Sequence, residues 1–198
     1  DRTSIETVSV LVYDGFDELD AIAPYEVFEN AGLDARIVNP HGEPVVTASH
    51  GLRVECDPDH TDPDLVLVPG GGWNDRDSPG AWSEYEDGTV PDYLGDAHDA
   101  GATVAAVCTG GMLLAKTGLL ESRPAITHHT AIDDLEEHGA TIADARVVDD
   151  DDRLTAGGVT SGLDLAFHLV ETIRGPEVAD RVKREMEYEP RGDVLVVD

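Results

Sequence analysis

Lysine is nearly absent from this sequence: Lys116 and Lys183 are the only two. With 13 Lys+Arg against 42 Asp+Glu the formal net charge is −29, which disfavours nucleic-acid binding, because phosphates would be repelled rather than neutralised. Cysteine is equally scarce. Cys56 and Cys108 stand in unrelated stretches, which excludes a disulfide framework and fits a reducing compartment. No apolar run is long enough to cross a membrane, and the first residues, "DRTSIETVSVLVYDG", are too charged for a signal peptide. A soluble cytoplasmic protein is expected. Repeats, low-complexity tracts and linkers are missing too, so residues 1–198 are expected to form one domain. The acids form no tail but spread along the chain. With lysine so rare, that spread suggests a halophilic surface, since at 1 M salt a Debye length of about 3 Å removes most self-repulsion.

What the sequence does contain is alternation. "TVSVLVY" (7–13) reads as a buried strand, and 19–33 carries apolar residues at helical spacing with Pro24 near its start. Residues 34–40 are a second expected strand, and 44–57 an expected hairpin turning at His50-Gly51. "DLVLVPGGG" (64–72) is a third strand entering a glycine loop, and 91–101 a helix stopped by glycine. The small residues of "ATVAAVC" (102–108) suit a sheet centre, and "TGGMLLAKTGLL" follows as helix. Strand, helix, hairpin and helix then continue to Gly175. The pattern predicts an α/β three-layer sandwich, a mostly parallel central sheet with helices on both faces. Ligands of such sheets sit beyond the carboxyl ends of the strands.

Three strand ends hold candidates. Cys108 falls where a strand turns into a helix, so helix N–H groups should point at it and lower its pKa; the other reading is a buried structural cysteine. Gly71 and Gly72 fit neither a dinucleotide nor a phosphate fingerprint, but their unobstructed N–H groups, with that of Thr109, could stabilise negative charge beside Cys108. Asp20 could cap the first helix, or serve as a carboxyl whose pKa is raised near a thiolate and which moves a proton. Asp17 and Glu18 read as surface charge. His128 is a possible site neighbour, yet no metal-ligand spacing accompanies His128-His129, so no metal and no cofactor are expected. "DDDD" (149–152) lacks an EF-hand pattern and reads as a solvated turn. The long loop 70–93 is expected over the site, and its Trp73 and Trp82 fit a pocket lining or a packing anchor equally.

In their order, "LDAIAPYEVF" (19–28), "DLVLVPGGG", "AAVCTGGMLLAKTGLL", "AITHH" (125–129) and "LTAGGVTSGLDLAFHLVE" (154–171) resemble the ThiJ/PfpI superfamily over nearly the full length. The resemblance implies a flavodoxin-like, class I glutamine-amidotransferase-like fold, a homodimer and a nucleophilic Cys108. Thr109 stands where protease-like members have histidine, and Asp20 where chaperone- and glyoxalase-type members have glutamate. Those departures, with "GGVTSGLDLA", look like isonitrile hydratase and the sensor-like domains that precede AraC-type regulators. The implied activity is hydration of an isonitrile to an N-substituted formamide through a thioimidate on Cys108, with Asp20 managing the proton and Thr109 and Gly71 shaping the anion site. Two alternatives stand beside it: a glyoxalase or deglycase acting on reactive aldehydes, and a non-enzymatic redox-sensing module in which Cys108 is oxidised.

Overall fold

A computed structural model describes residues 1–198. The chain runs through β1 (Thr7–Leu11), α1 (Glu18–Asn30), β2 (Asp34–Val38), β3 (Val45–Thr47), β4 (Arg53–Glu55) and β5 (Leu65–Val68). It continues with α2 (Ala81–Asp87), α3 (Thr89–Asp99), β6 (Thr103–Val107), α4 (Gly110–Lys116), β7 (Pro124–Ala125), α5 (Ile132–Glu137) and β8 (Thr141–Ile142). β9 (Val147–Asp150), β10 (Arg153–Ala156), α6 (Ser161–Arg174), α7 (Pro176–Glu185) and β11 (Val194–Val196) complete it.

Seven strands form the central sheet in the order β11-β9-β10-β6-β5-β1-β2, and only the β9–β10 pair is antiparallel. The expected α/β three-layer sandwich is what forms. β5 and β6 are buried at every position, so they read as continuous apolar runs, the signature of a sheet covered on both faces. α1, α6 and α7 pack together on one face, while α2 and α3 join α4 on the other and α5 packs against α4. One cluster of 51 buried apolar residues runs through both layers.

The sequence reading missed four elements, the two-residue β8 among them. α2 lies inside the stretch read as a loop: "AWSEYED" is mostly polar, and its start depends on Gly80, whose N–H donates to Ser83 Oγ at 2.9 Å. α7 and β11 follow Gly175, where α7 buries only Ala179 and Val182, too few to mark a helix among its charges. Pro24 lies well inside α1 rather than at its start, leaving the carbonyl of Asp20 without its helical donor. The acidic run 149–152 also differs from expectation. Asp149 and Asp150 are buried in β9, the first paired with Arg2 and with His168 Nε2 at 2.6 Å, the second with Arg123 Nε at 2.6 Å. Only Asp151 is fully exposed at the turn, because basic groups from distant elements fold over the others.

Candidate active site

The site is built where β5 and β6 end, flanked by the turn after β10. Cys108 follows β6 with φ +57°, a left-handed conformation that costs a side-chain-bearing residue about 1–3 kcal/mol. Four hydrogen bonds hold it there. Its N–H donates to the carbonyls of Ala156 at 3.1 Å and Gly157 at 3.0 Å, while its own carbonyl accepts from Thr127 Oγ1 at 2.7 Å and the Gly111 N–H at 3.2 Å. Such a sharp strand-to-helix turn presents the side chain at the sheet end, the geometry of a nucleophile elbow. Cys108 is 5% exposed and borders a cleft of about 280 Å³ lined also by Asp17, Trp73, His128 and Val159.

Asp20 comes to the same place from α1. The cap position belongs to Asp17, so the capping reading of Asp20 fails; Asp20 sits inside the first turn and is fully buried. Its Oδ2 accepts the Gly70 N–H at 3.0 Å, and its Oδ1 has no partner. Burial pushes its carboxyl up to about 8, helped by the charge of Asp17 and opposed by the Gly70 N–H and the neighbouring Cys108. A buried carboxyl with a free oxygen and no cation nearby keeps its proton into the neutral range.

The thiol does not show the expected drop. Burial pushes Cys108 up to about 12, with the charge of Asp20 as the second cause, and the N–H groups of Thr109 and Val159 pull the other way. α4 spans only seven residues, and desolvation outweighs its N-terminal donors. The two groups titrate as a pair. When Asp20 holds the proton, its repulsion of the thiolate disappears, and burial with the smaller repulsion of Asp17 opposes the two N–H donors.

The expected anion site is only partly assembled. The Thr109 N–H faces the sulfur as anticipated, but the Gly71 N–H is taken by Thr109 Oγ1 at 2.9 Å. Gly71 serves geometry instead: φ is +129°, and a Cβ there would lie 2.6 Å from the Asp17 nitrogen. Gly72 lines the cleft, and its N–H has no acceptor within the chain. The second donor at Cys108, Val159, was missed, although the glycine pair Gly157-Gly158 at another strand end was its signal. His128 does border the cleft, with Nδ1 2.8 Å from Thr130 Oγ1; burial and His129 lower its pKa, so it stays uncharged at neutral pH.

Asp17 lines the cleft rather than the open surface. Glu18 is instead held by the hairpin, where its carboxylate accepts the His50 N–H and meets His50 Nδ1, both at 2.7 Å. Trp73 fills both of its expected roles, forming a cleft wall while its Nε1 donates to Asp134 at 2.6 Å and its ring meets Trp82 and Tyr85 edge-on. Metal-type ligands converge away from this cleft, at His41, Glu84 and Asp87, whose ligand atoms lie within 4.8 Å of one another. There His41 Nε2 and Glu84 Oε2 already hydrogen-bond to each other at 2.7 Å.

Residues 6–172 match the model of the DJ-1/PfpI family. An isonitrile hydratase from Pseudomonas putida is 30% identical over 187 residues, covering 92% of this chain and 78% of that protein. A glutathione-independent glyoxalase, DJR-1.2 from Caenorhabditis elegans, is 28% identical over 166 residues, covering 81% and 84% respectively. Among solved structures, a ThiJ/PfpI family protein from Pseudomonas syringae superposes with a TM-score of 0.82 at 28% identity, covering 96% of this chain and 77% of that one.

Proposed function

Because this chain belongs to the DJ-1/PfpI family, we propose that Cys108 and Asp20 are the catalytic pair of an enzyme acting on a small electrophile, and that the electrophile is an isonitrile. One observation carries the reading: a fully buried carboxyl with one unpartnered oxygen stands beside a cysteine held on a strained elbow at the edge of a small cleft. Cys108 sulfur attacks the terminal isonitrile carbon, and that carbon takes a proton from Asp20, giving a thioimidate. The thiol proton returns to the Asp20 carboxylate. Water then adds to the thioimidate carbon, the C–S bond breaks, and an N-substituted formamide leaves with the pair restored. The N–H groups of Thr109 and Val159 stabilise the sulfur whenever it carries charge.

The glyoxalase relative supports a second reading, in which the same pair handles a reactive aldehyde. Burial and a raised thiol pKa both disfavour a sensor cysteine open to bulk oxidants. The reading includes a homodimer. Leu19 on α1 and Leu52 on the hairpin, two of the four exposed large apolar side chains, sit on elements that Glu18 ties together.

The test is the alkylation rate of Cys108 against pH in high salt, on a Cys56→Ser background, followed by mass analysis of formamide from an isonitrile and lactate from methylglyoxal. The rate should climb as pH rises through about 8, where the pair loses its first proton, and Asp20→Asn should move that midpoint. An inert Cys108, or a profile that Asp20→Asn leaves untouched, would remove the pair from the mechanism.

A further inference from the structure

The cleft over Cys108 has a neighbour. A second cleft of about 420 Å³ adjoins it, and the two share Gly72 and Asp75. Lining the two clefts are three carboxylates, Asp14, Asp17 and Asp75, and no lysine or arginine. Arg76, the nearest base in sequence, is folded over the Trp82 ring at 3.6 Å and lines neither cleft. Asp14 is partly occupied, since its Oδ1 accepts the Thr47 N–H at 2.9 Å. Asp17 and Asp75 both border the cleft that contains Cys108. The second cleft has a single hydrophobic residue in its lining and presents the hydroxyls of Thr47, Ser49 and Ser78. Asp20, whose fully buried Oδ1 has no partner, lines neither cleft, so the catalytic pair meets the cleft through Cys108 alone.

An anionic molecule entering these clefts meets like charge next to the reacting sulfur, with no cation to compensate it. A neutral or cationic molecule meets acceptors instead. We propose that Asp17 and Asp75 select the substrate by charge, admitting small electrophiles whose tail is uncharged and hydroxyl-bearing or carries an ammonium group, and rejecting those that bear a carboxylate, sulfonate or phosphate. This rests on Cys108 being the reacting nucleophile, as in the preceding subsection.

The test uses three methanethiosulfonates of similar size on the full-length Cys56→Ser protein: trimethylammonium-ethyl, hydroxyethyl and sulfonatoethyl. In each, the thiolate attacks the sulfenyl sulfur, a mixed disulfide forms and methanesulfinate leaves, so the thiolate fraction cancels when rates are compared. Normalised to 2-mercaptoethanol in the same buffer, the cationic-to-anionic rate ratio should exceed that of the free thiol by about tenfold, with hydroxyethyl between, and should shrink as salt is added. Asp17→Asn, which keeps a good capping residue, and exposed Asp75→Asn should each lower the ratio by about threefold. A ratio equal to that of the free thiol, or one unmoved in both variants, overturns the charge selection while leaving the nucleophile intact. Absence of labelling by all three reagents overturns the nucleophile and the selection together.

Discussion

Two buried aspartates sit in this protein under opposite rules. Asp149 in β9 and Asp20 in α1 are both almost completely hidden from water, at 4% and 0% exposure. Burial raises the pKa of each, yet Asp149 ends at about 2 and Asp20 at about 8. The difference is the company. Asp149 is gripped by the Arg2 guanidinium and by His168, which more than reverse its desolvation, whereas Asp20 receives one backbone N–H and faces a thiol. Burial alone therefore does not make a carboxylate structural or chemical. An Asp with cations holds the fold together, and an Asp without one is left holding a proton that it can give away.

The largest expected break in this comparison is functional. Asp20→Asn should lower turnover of the preferred electrophile by about 10²- to 10⁴-fold while raising rather than lowering the unfolding temperature at neutral pH, because the amide removes the cost of keeping a carboxyl protonated in the fold. Next comes Asp149→Ala, which strands Arg2 and His168 and should cost roughly 2–4 kcal/mol, or roughly 5–15 °C in Tm, with the pH profile of Cys108 alkylation unchanged. Denaturation curves against pH sharpen the contrast further. Asp149, with its lowered pKa, contributes stability that is present above about pH 4 and is lost as pH falls towards 2, about 2 kcal/mol in all. Asp20 has the opposite sign: its contribution is complete below about pH 4 and is lost as pH rises through 8, and Asp20→Asn should abolish that alkaline loss. Salt separates the regions least. Stability should rise between low and molar KCl because the exposed acids are screened, while the cost of Asp149→Ala should change by only about 0.5 kcal/mol, since its pair is shielded from solvent.

The same contrast explains how much could be read in advance. β5 and β6 announce themselves because both faces of the sheet are covered, leaving unbroken apolar runs, and a glycine-flanked cysteine at the end of β6 marks the elbow. Asp20 was legible as a candidate, but the choice between cap and acid waited on its position, within the first turn of α1 with Asp17 at the cap. Pairings at long range left no local trace. Arg2 and Asp149 are 147 positions apart, so "DDDD" could only look solvated. The direction of the Cys108 shift was misjudged for a related reason: donors at the start of a helix are visible in sequence, whereas the depth at which the sulfur is buried is set by packing from every side.

The Val159 N–H reaches Cys108 only because β10 runs parallel to β6 and in register with it, Ala156 beside Val107, so that the two strands end together. Residue length thus matters as much as residue identity in this turn. Adding one residue among Gly157–Thr160 would shift the chain by about 3.3 Å, the rise of one strand position, and carry the donor out of reach without altering any side chain at the site. An extra residue in the exposed stretch 74–79 leaves the β10–α6 turn as it is. Insertions and deletions in that turn should be as damaging as substitutions of the cysteine itself.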